Sequence, residues 1–192
     1  RHARDRDPLA DAGPVGLGLY RPPAAGPGAL RFKLFHLGEP VNLSESLPML
    51  ERMGLNVQDE RPHRVTPTGM PPVWMHDFGR LSGLADTEVE IDALHQIFEQ
   101  AFGSVFRGEV ENDDFNRLVL AARLPAAEIV ILRAYAKYLR QIGFPLSPPF
   151  VEATLAAHPS GAHGLVELFT HRSDPERGAG VGPRSAALER GI

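Results

Sequence analysis

Residues Leu47–Pro62, LPMLERMGLNVQDERP, decide the fold. They hold an amphipathic helix, a glycine stop and a strongly polar strand in immediate succession. Leu43, Leu47, Leu50 and Met53 stand at i, i+4, i+7 and i+10, one apolar stripe at helical spacing. Asn42 or Ser44 is placed to cap the helix, and Glu45 three residues after Asn42 fits a capping box. Pro48 is tolerated in a first turn, which favours Ser44 or Ser46 as the start. Gly54 falls where a left-handed C-cap is needed. Asn56–Thr66 is then polar on both sides, with Val57 and Val65 as weak anchors. Pro62 cannot donate a ladder bond, so this segment reads as an edge strand.

Working outward, Val15–Tyr20 and Leu30–Leu37 are β-rich and separated by PPAAGPG, a hairpin with a long connection. In the second strand Leu30, Phe32, Leu34 and His36 share one face, while Arg31, Lys33, Phe35 and Leu37 share the other. Both faces carry apolar groups, as a central strand would. After the TPTGMPP turn, Val73–Phe78 forms a further strand. Asp86 or Thr87 caps a long helix whose apolar face includes Leu94, Phe98, Ala101, Phe102 and Val105. The order ββαββα predicts an α+β domain over 14–108: a four-stranded antiparallel sheet with two helices on one face. This is the ferredoxin-like plan with its last strand moved to the front.

From Glu109 the pattern is purely helical, and 109–173 is expected to form a small all-helical subdomain. Phe115–Leu124 is a short helix, and Pro125 opens the next at a favourable first-turn position. Ile129, Leu132, Ala136, Leu139 and Ile142 form the buried stripe of that second helix, which Gly143 ends. Ser147 caps a third helix running to about His158, and Gly164–His171 makes a fourth. Residues 174–192, rich in glycine, read as a linker.

Composition narrows the function. The chain has 192 residues, 43% hydrophobic and 23% charged, ordinary for a soluble globular protein. It lacks cysteine, which excludes disulfides, thiolate zinc sites and a cysteine nucleophile. A formal charge of −4 provides no global attraction for nucleic acid or an anionic membrane. No apolar run approaches the ~20 residues that span a bilayer. The amino terminus, RHARDRDPLADAG, lacks the apolar core of a secretory signal, and a cytoplasmic location is expected. Without an initiator methionine, the chain is expected to be part of a longer polypeptide.

Several motif fragments dissolve on inspection. Gly178–Gly182, GAGVG, lacks the flanking strand and helix of a dinucleotide fingerprint. His76-Asp77-Phe78-Gly79 contains a kinase-like triplet without any other kinase element, and its His and Asp alternate across a strand. The eight histidines show no metal-ligand spacing, so no metal site is expected. Arg133, Lys137 and Arg140, at i, i+4 and i+7, read as a basic stripe opposite the apolar one, either a solvated helix face or a surface for docking on an acidic patch of the longer polypeptide. The two helices around Pro125 superficially suggest a helix-turn-helix, but Ala126, Ala127, Glu128 and Ile129 are poor base readers.

Four stretches together carry a family likeness: RFKLFHLGEPVNLSES (31–46), the opening LPMLERMGLNVQDERP, and the helical text of Glu111–Leu124 and of Ile129–Phe144. From about Leu17 to Pro175 the chain resembles the very large bacterial NAD-specific glutamate dehydrogenases, in the regulatory region ahead of their catalytic domain. The resemblance implies an ACT-like identity for 14–108 and a parent enzyme that oxidatively deaminates L-glutamate to 2-oxoglutarate with NAD. It implies no catalytic residue and no cofactor site within this chain, since the catalytic lysines, aspartate and dinucleotide domain of the family would lie beyond Ile192. It also implies a homo-oligomer and the catalytic domain of the same chain as partner. By analogy with ACT-like domains, a small amino-acid effector would sit at the strand–helix loop His36–Ser44. There Gly38 permits close backbone approach, Asn42 and Ser44 offer hydrogen bonds, and the helix N-terminus favours a carboxylate. The alternative from another class is a stand-alone small-molecule-sensing or transcription-regulating module.

Overall fold

The computed structural model describes residues 15–22, 30–81 and 91–173. Its elements run β1 (Val15–Tyr20), β2 (Leu30–Leu37), α1 (Leu43–Arg52), β3 (Asp59–Val65), β4 (Val73–Leu81) and α2 (Ile91–Phe106). A 3₁₀ turn (Asp114–Arg117) and a short α3 (Leu118–Ala121) follow, then α4 (Ala126–Gln141), α5 (Pro148–Ala157) and α6 (Pro159–Ser173). The sheet order is β1-β2-β4-β3, and every neighbouring pair is antiparallel. That order is the ferredoxin-like plan with its final strand placed first, as the ββαββα pattern predicts. The expected helix caps at Asp86 and Thr87 and the 174–192 linker lie outside the described residues.

Alternation along the strands decides which face is covered. Leu19, Phe32, Leu34 and Phe78 fall in register on one face and are buried. Phe98, Phe102 and Phe106, four residues apart on α2, form the ridge above them. Phe32 meets the rings of Phe102 and Phe98 edge-on, with centroids 4.8 and 5.3 Å apart. The edge strand β1 is not left open: Glu99 of α2 accepts a hydrogen bond from the Leu19 N–H at 2.9 Å.

Helix α1 starts earlier than Pro48 suggests. Its N-cap is Asn42, and Pro48 sits inside the helix. The carbonyl that Pro48 leaves without a donor belongs to Ser44, an exposed residue, so water can satisfy it. The capping box does not form; the Asn42 side chain makes no cap bond. The far end follows the sequence closely. Gly54 adopts φ +86°, and the N–H groups of Leu55 and Gly54 close back on the carbonyls of Leu50 and Glu51 at 2.9 Å each. This Schellman closure brings the buried Leu50 and Leu55 together at the helix end.

The helical residues share the sheet's core. Phe115, Leu118, Leu124, Ile129, Leu132 and Val166 belong to the same buried cluster as Phe32 and Phe102. Arg123, at φ +54°, turns the chain in the left-handed region and sends Leu124 inward. Helix α6 begins at Pro159 and not near Gly164. Proline suits a first helical turn, and Ala162 with Val166 buries one face across Gly161 and Gly164.

Candidate functional site

The β2–α1 loop is held by its backbone. Gly38 adopts φ +90°, with open space where a Cβ would stand. Its N–H donates to the Pro72 carbonyl at 2.7 Å, and its carbonyl accepts from Trp74 Nε1 at 3.2 Å. Both polar backbone atoms of Gly38 are therefore committed within the fold. Asn42 and Ser44 are exposed at the opening turn of α1, where the first N–H groups of a helix have no intrahelical partner.

A buried histidine fixes this loop from beneath. The Val41 N–H donates to His76 Nε2 at 3.2 Å, and His76 Nδ1 lies 2.8 Å from Glu60 Oε1 on β3. A ring nitrogen that accepts from an amide carries no proton, so the proton sits on Nδ1 and is donated to Glu60. Only 4% of His76 is exposed. His76 faces the core while Asp77 faces the opposite side, as strand alternation requires.

Across the other face, Asp77 collects a second network. Tyr20 Oη donates to both carboxylate oxygens at 3.1 and 3.0 Å, and Arg31 Nε donates at 2.9 Å. Arg31 also reaches Asp59 Oδ1 at 3.4 Å, over Gly79. A Cβ at Gly79 would lie 2.0 Å from Asp59 Oδ1 and 2.1 Å from Arg31 Nη1. Burial, then the bond to Asp77, raises the Tyr20 pKa, so its hydroxyl remains a donor.

On α4, Arg133 departs from the basic stripe expected opposite the apolar face. It is buried, 4% exposed, and its Nε and Nη2 donate to the two oxygens of Asp113 at 2.6 and 2.8 Å. Nη2 also donates to Asn116 Oδ1 at 3.1 Å, and the guanidinium lies over the Phe115 ring. The reason is geometric: Arg133 is four residues after Ile129 and so shares its inward face. Lys137 is exposed and bonds Glu111, whose carboxyl is held below its ordinary pKa chiefly by that contact. Arg140 is exposed and lies with Arg133, Lys137 and Glu152 around a cleft of about 220 Å³. Burial raises the Glu152 pKa, helped by Asp113 and Asp114. The three cations thus line one cleft, but with different roles: one internal clamp and two surface groups.

Two family models match this chain. Residues 14–94 match the glutamate dehydrogenase ACT3 domain, and residues 110–175 match glutamate dehydrogenase helical motif 3. The chain belongs to the glutamate dehydrogenase family. It is 40% identical over 174 residues to the NAD-specific glutamate dehydrogenase of Halomonas elongata, covering 91% of this chain and 11% of that protein. The Pseudomonas aeruginosa protein of the same name is 39% identical over 164 residues, covering 85% of this chain and 10% of the relative. That of Mycobacterium tuberculosis is 43% identical over 148 residues, or 74% and 9%. The chain therefore spans about a tenth of the length of the relatives it matches.

Within the ACT3 region, Gly38, Asn42 and Ser44 lie on one loop and its helical turn, whereas Arg133, Lys137 and Arg140 belong to helical motif 3, on the other matched region. The groups that sequence reasoning missed are His76 and Glu60 beneath the loop. Their signal was present but faint: His76 stands two residues before the buried Phe78, on the same strand face, opposite Pro62 on the strand that carries Glu60. Among the described residues no cluster of three or more His, Cys, Asp or Glu side chains is arranged to hold a metal ion. No described helix is long and apolar enough to cross a membrane.

Proposed function

We propose that this chain is a regulatory and scaffolding portion of a cytoplasmic NAD-specific glutamate dehydrogenase and performs no chemistry itself. The observation that carries the reading is the pairing of an ACT3 region with helical motif 3 in a chain one tenth the length of its relatives. The ionisable groups that lie deepest support it. Arg133 closes on Asp113, Arg31 on Asp77 and His76 on Glu60, each using its polar atoms to bind its neighbour. In this reading glutamate oxidation and NAD binding belong to the rest of the polypeptide, which assembles as a homo-oligomer.

The β2–α1 loop is the effector site. Gly38 keeps the loop approach open, and the Asn42 amide and Ser44 hydroxyl are exposed beside the first N–H groups of α1. That combination suits the carboxylate of a free amino acid. Lys137 and Arg140 contribute to docking on the catalytic portion, while Arg133 keeps its helix in place. The test has two parts. The purified chain, given L-glutamate and NAD, is expected to form no NADH; turnover would end the reading. Amino acids are then titrated during thermal unfolding, where a ligand at a hundred times its Kd adds about 2.7 kcal/mol. The shift is expected to vanish in Asn42→Ala/Ser44→Ala; absence of any shift would remove the effector role and leave scaffolding.

A further inference from the structure

His76 is buried and titratable, and its two ring nitrogens face unlike partners. Nε2 accepts the Val41 N–H at 3.2 Å, while Nδ1, which carries the proton, lies 2.8 Å from Glu60 Oε1. A second proton on the ring turns both nitrogens into donors. On the Nδ1 side nothing is lost, because the Glu60 carboxylate takes the same hydrogen bond and also balances the new charge. On the Nε2 side two N–H groups then confront each other, and the bond to Val41 is forfeited. Val41 is buried and directly precedes Asn42, the N-cap of α1. The penalty therefore falls on the stretch that leads into the exposed turn of Asn42 and Ser44.

The other ionisable groups around the ring do not share this arrangement. From β3, Arg64 stands on the same face as Glu60, with its guanidinium over the Trp74 ring. From β2, His36 pairs with Trp74, and its Nδ1 lies 2.7 Å from the Glu39 carbonyl. A ring nitrogen beside a carbonyl donates in the neutral and the charged state alike, so protonating His36 breaks no bond. Glu39, in the loop, is exposed. On β4 itself, Asp77 faces the opposite side and is held by Tyr20 and Arg31. Every buried described residue of α1 and α2 is uncharged.

We propose that His76 is a proton switch for the β2–α1 loop: the neutral ring ties Val41 down, and the protonated ring releases residues 39–42. Gly38 stays anchored, since its bonds to Pro72 and Trp74 do not involve His76. A ligand held at Asn42 and Ser44 favours the tied loop and hence the neutral ring, so by linkage it is bound less tightly as the ring gains its proton. That consequence rests on the reading of the loop as an effector site; the switch itself does not.

Amide exchange of the ligand-free 192-residue chain tests this at about pH 7.5 and about pH 5.5, which bracket the usual charge change of histidine. Each rate is divided by that of an unstructured amide at the same pH. Protection at Val41 is expected to fall about tenfold at the lower pH, while protection at Gly38 stays unchanged. His76→Gln, an acceptor that does not titrate in this range, should keep Val41 equally protected at both. Glu60→Gln removes the balancing charge and should move the loss of protection to lower pH, a displacement that a merely structural partner would not produce. His36→Gln should leave the response intact. Equal protection of Val41 at both pH values in the unaltered chain overturns the proposal. So does a response that survives in His76→Gln or disappears in His36→Gln. Exchange is read without ligand, so a chain that binds no amino acid would remove the effector role and leave the switch standing.

Discussion

Arg133 on α4 grips Asp113, at the entry to the 3₁₀ turn, through two parallel hydrogen bonds of 2.6 and 2.8 Å. This fork joins α4 to the chain segment that leaves α2, with Asn116 and Glu111 completing the guanidinium's contacts. Removing the cation leaves the carboxylate without its partner. Arg133→Met is expected to cost about 3 kcal/mol, the low end for a broken buried pair because Asp113 keeps some contact with water. The neighbouring Lys137→Ala should cost below about 1 kcal/mol, since Lys137 and Glu111 are both exposed. Urea denaturation of the two variants checks the contrast, and equal costs would contradict it.

The His76 ring serves two hydrogen bonds and also stacks on Phe78 with centroids 6.2 Å apart. His76→Phe keeps the stacking and removes both bonds. Leaving the Val41 N–H and Glu60 unpartnered should cost about 1–3 kcal/mol. Amide exchange at Val41 should accelerate with it, an effect that loss of packing alone would not concentrate there.

Gly79 makes room for the Arg31–Asp59 bridge. Gly79→Ala should cost about 1 kcal/mol, because its Cβ displaces two flexible side-chain ends and leaves the backbone in place. In an Asp59→Ala background part of this cost should disappear. A double-mutant cycle measures the coupling, and strict additivity would refute it.

Glu152 gives a pH signature. Its pKa is raised in the folded chain, first by burial and then by Asp113 and Asp114. The folded state therefore holds this proton more tightly than the unfolded state does. The site's contribution to stability falls as pH rises from the ordinary carboxylate value through the raised one, and the penalty is complete above it. Glu152→Gln should accordingly raise the melting temperature slightly at neutral pH. The gain should fade as pH falls through the raised value and be gone below the ordinary carboxylate range, a trend that melting curves across the acid range can follow.

The sheet was legible because its signals are local. Period-two alternation in RFKLFHL, the proline in β3 and the glycine after α1 each fix a strand face, an edge or a stop without reference to distant residues. The errors came where tertiary packing overrides local preference. Pro48 and Gly164 each argue for a later helix start, yet buried neighbours such as Ser46, Met49 and Ala162 keep the preceding residues helical. Arg133 was misplaced because charge was weighed above helical phase. His76 and Glu60 meet through the pairing of β3 with β4, a juxtaposition that only the register supplies.

The shared core has a mechanical consequence. Phe106, Leu118 and Ile129 belong to the same interior as Phe32, so among the described residues no polar seam separates the sheet from the helices behind it. The two matched regions are welded into one stiff strut, with the loop at Gly38 in one region and the cleft at Arg140 in the other. Torque applied to the strut at one of these places reaches the other as rotation of a whole body, where beads on a string would absorb it.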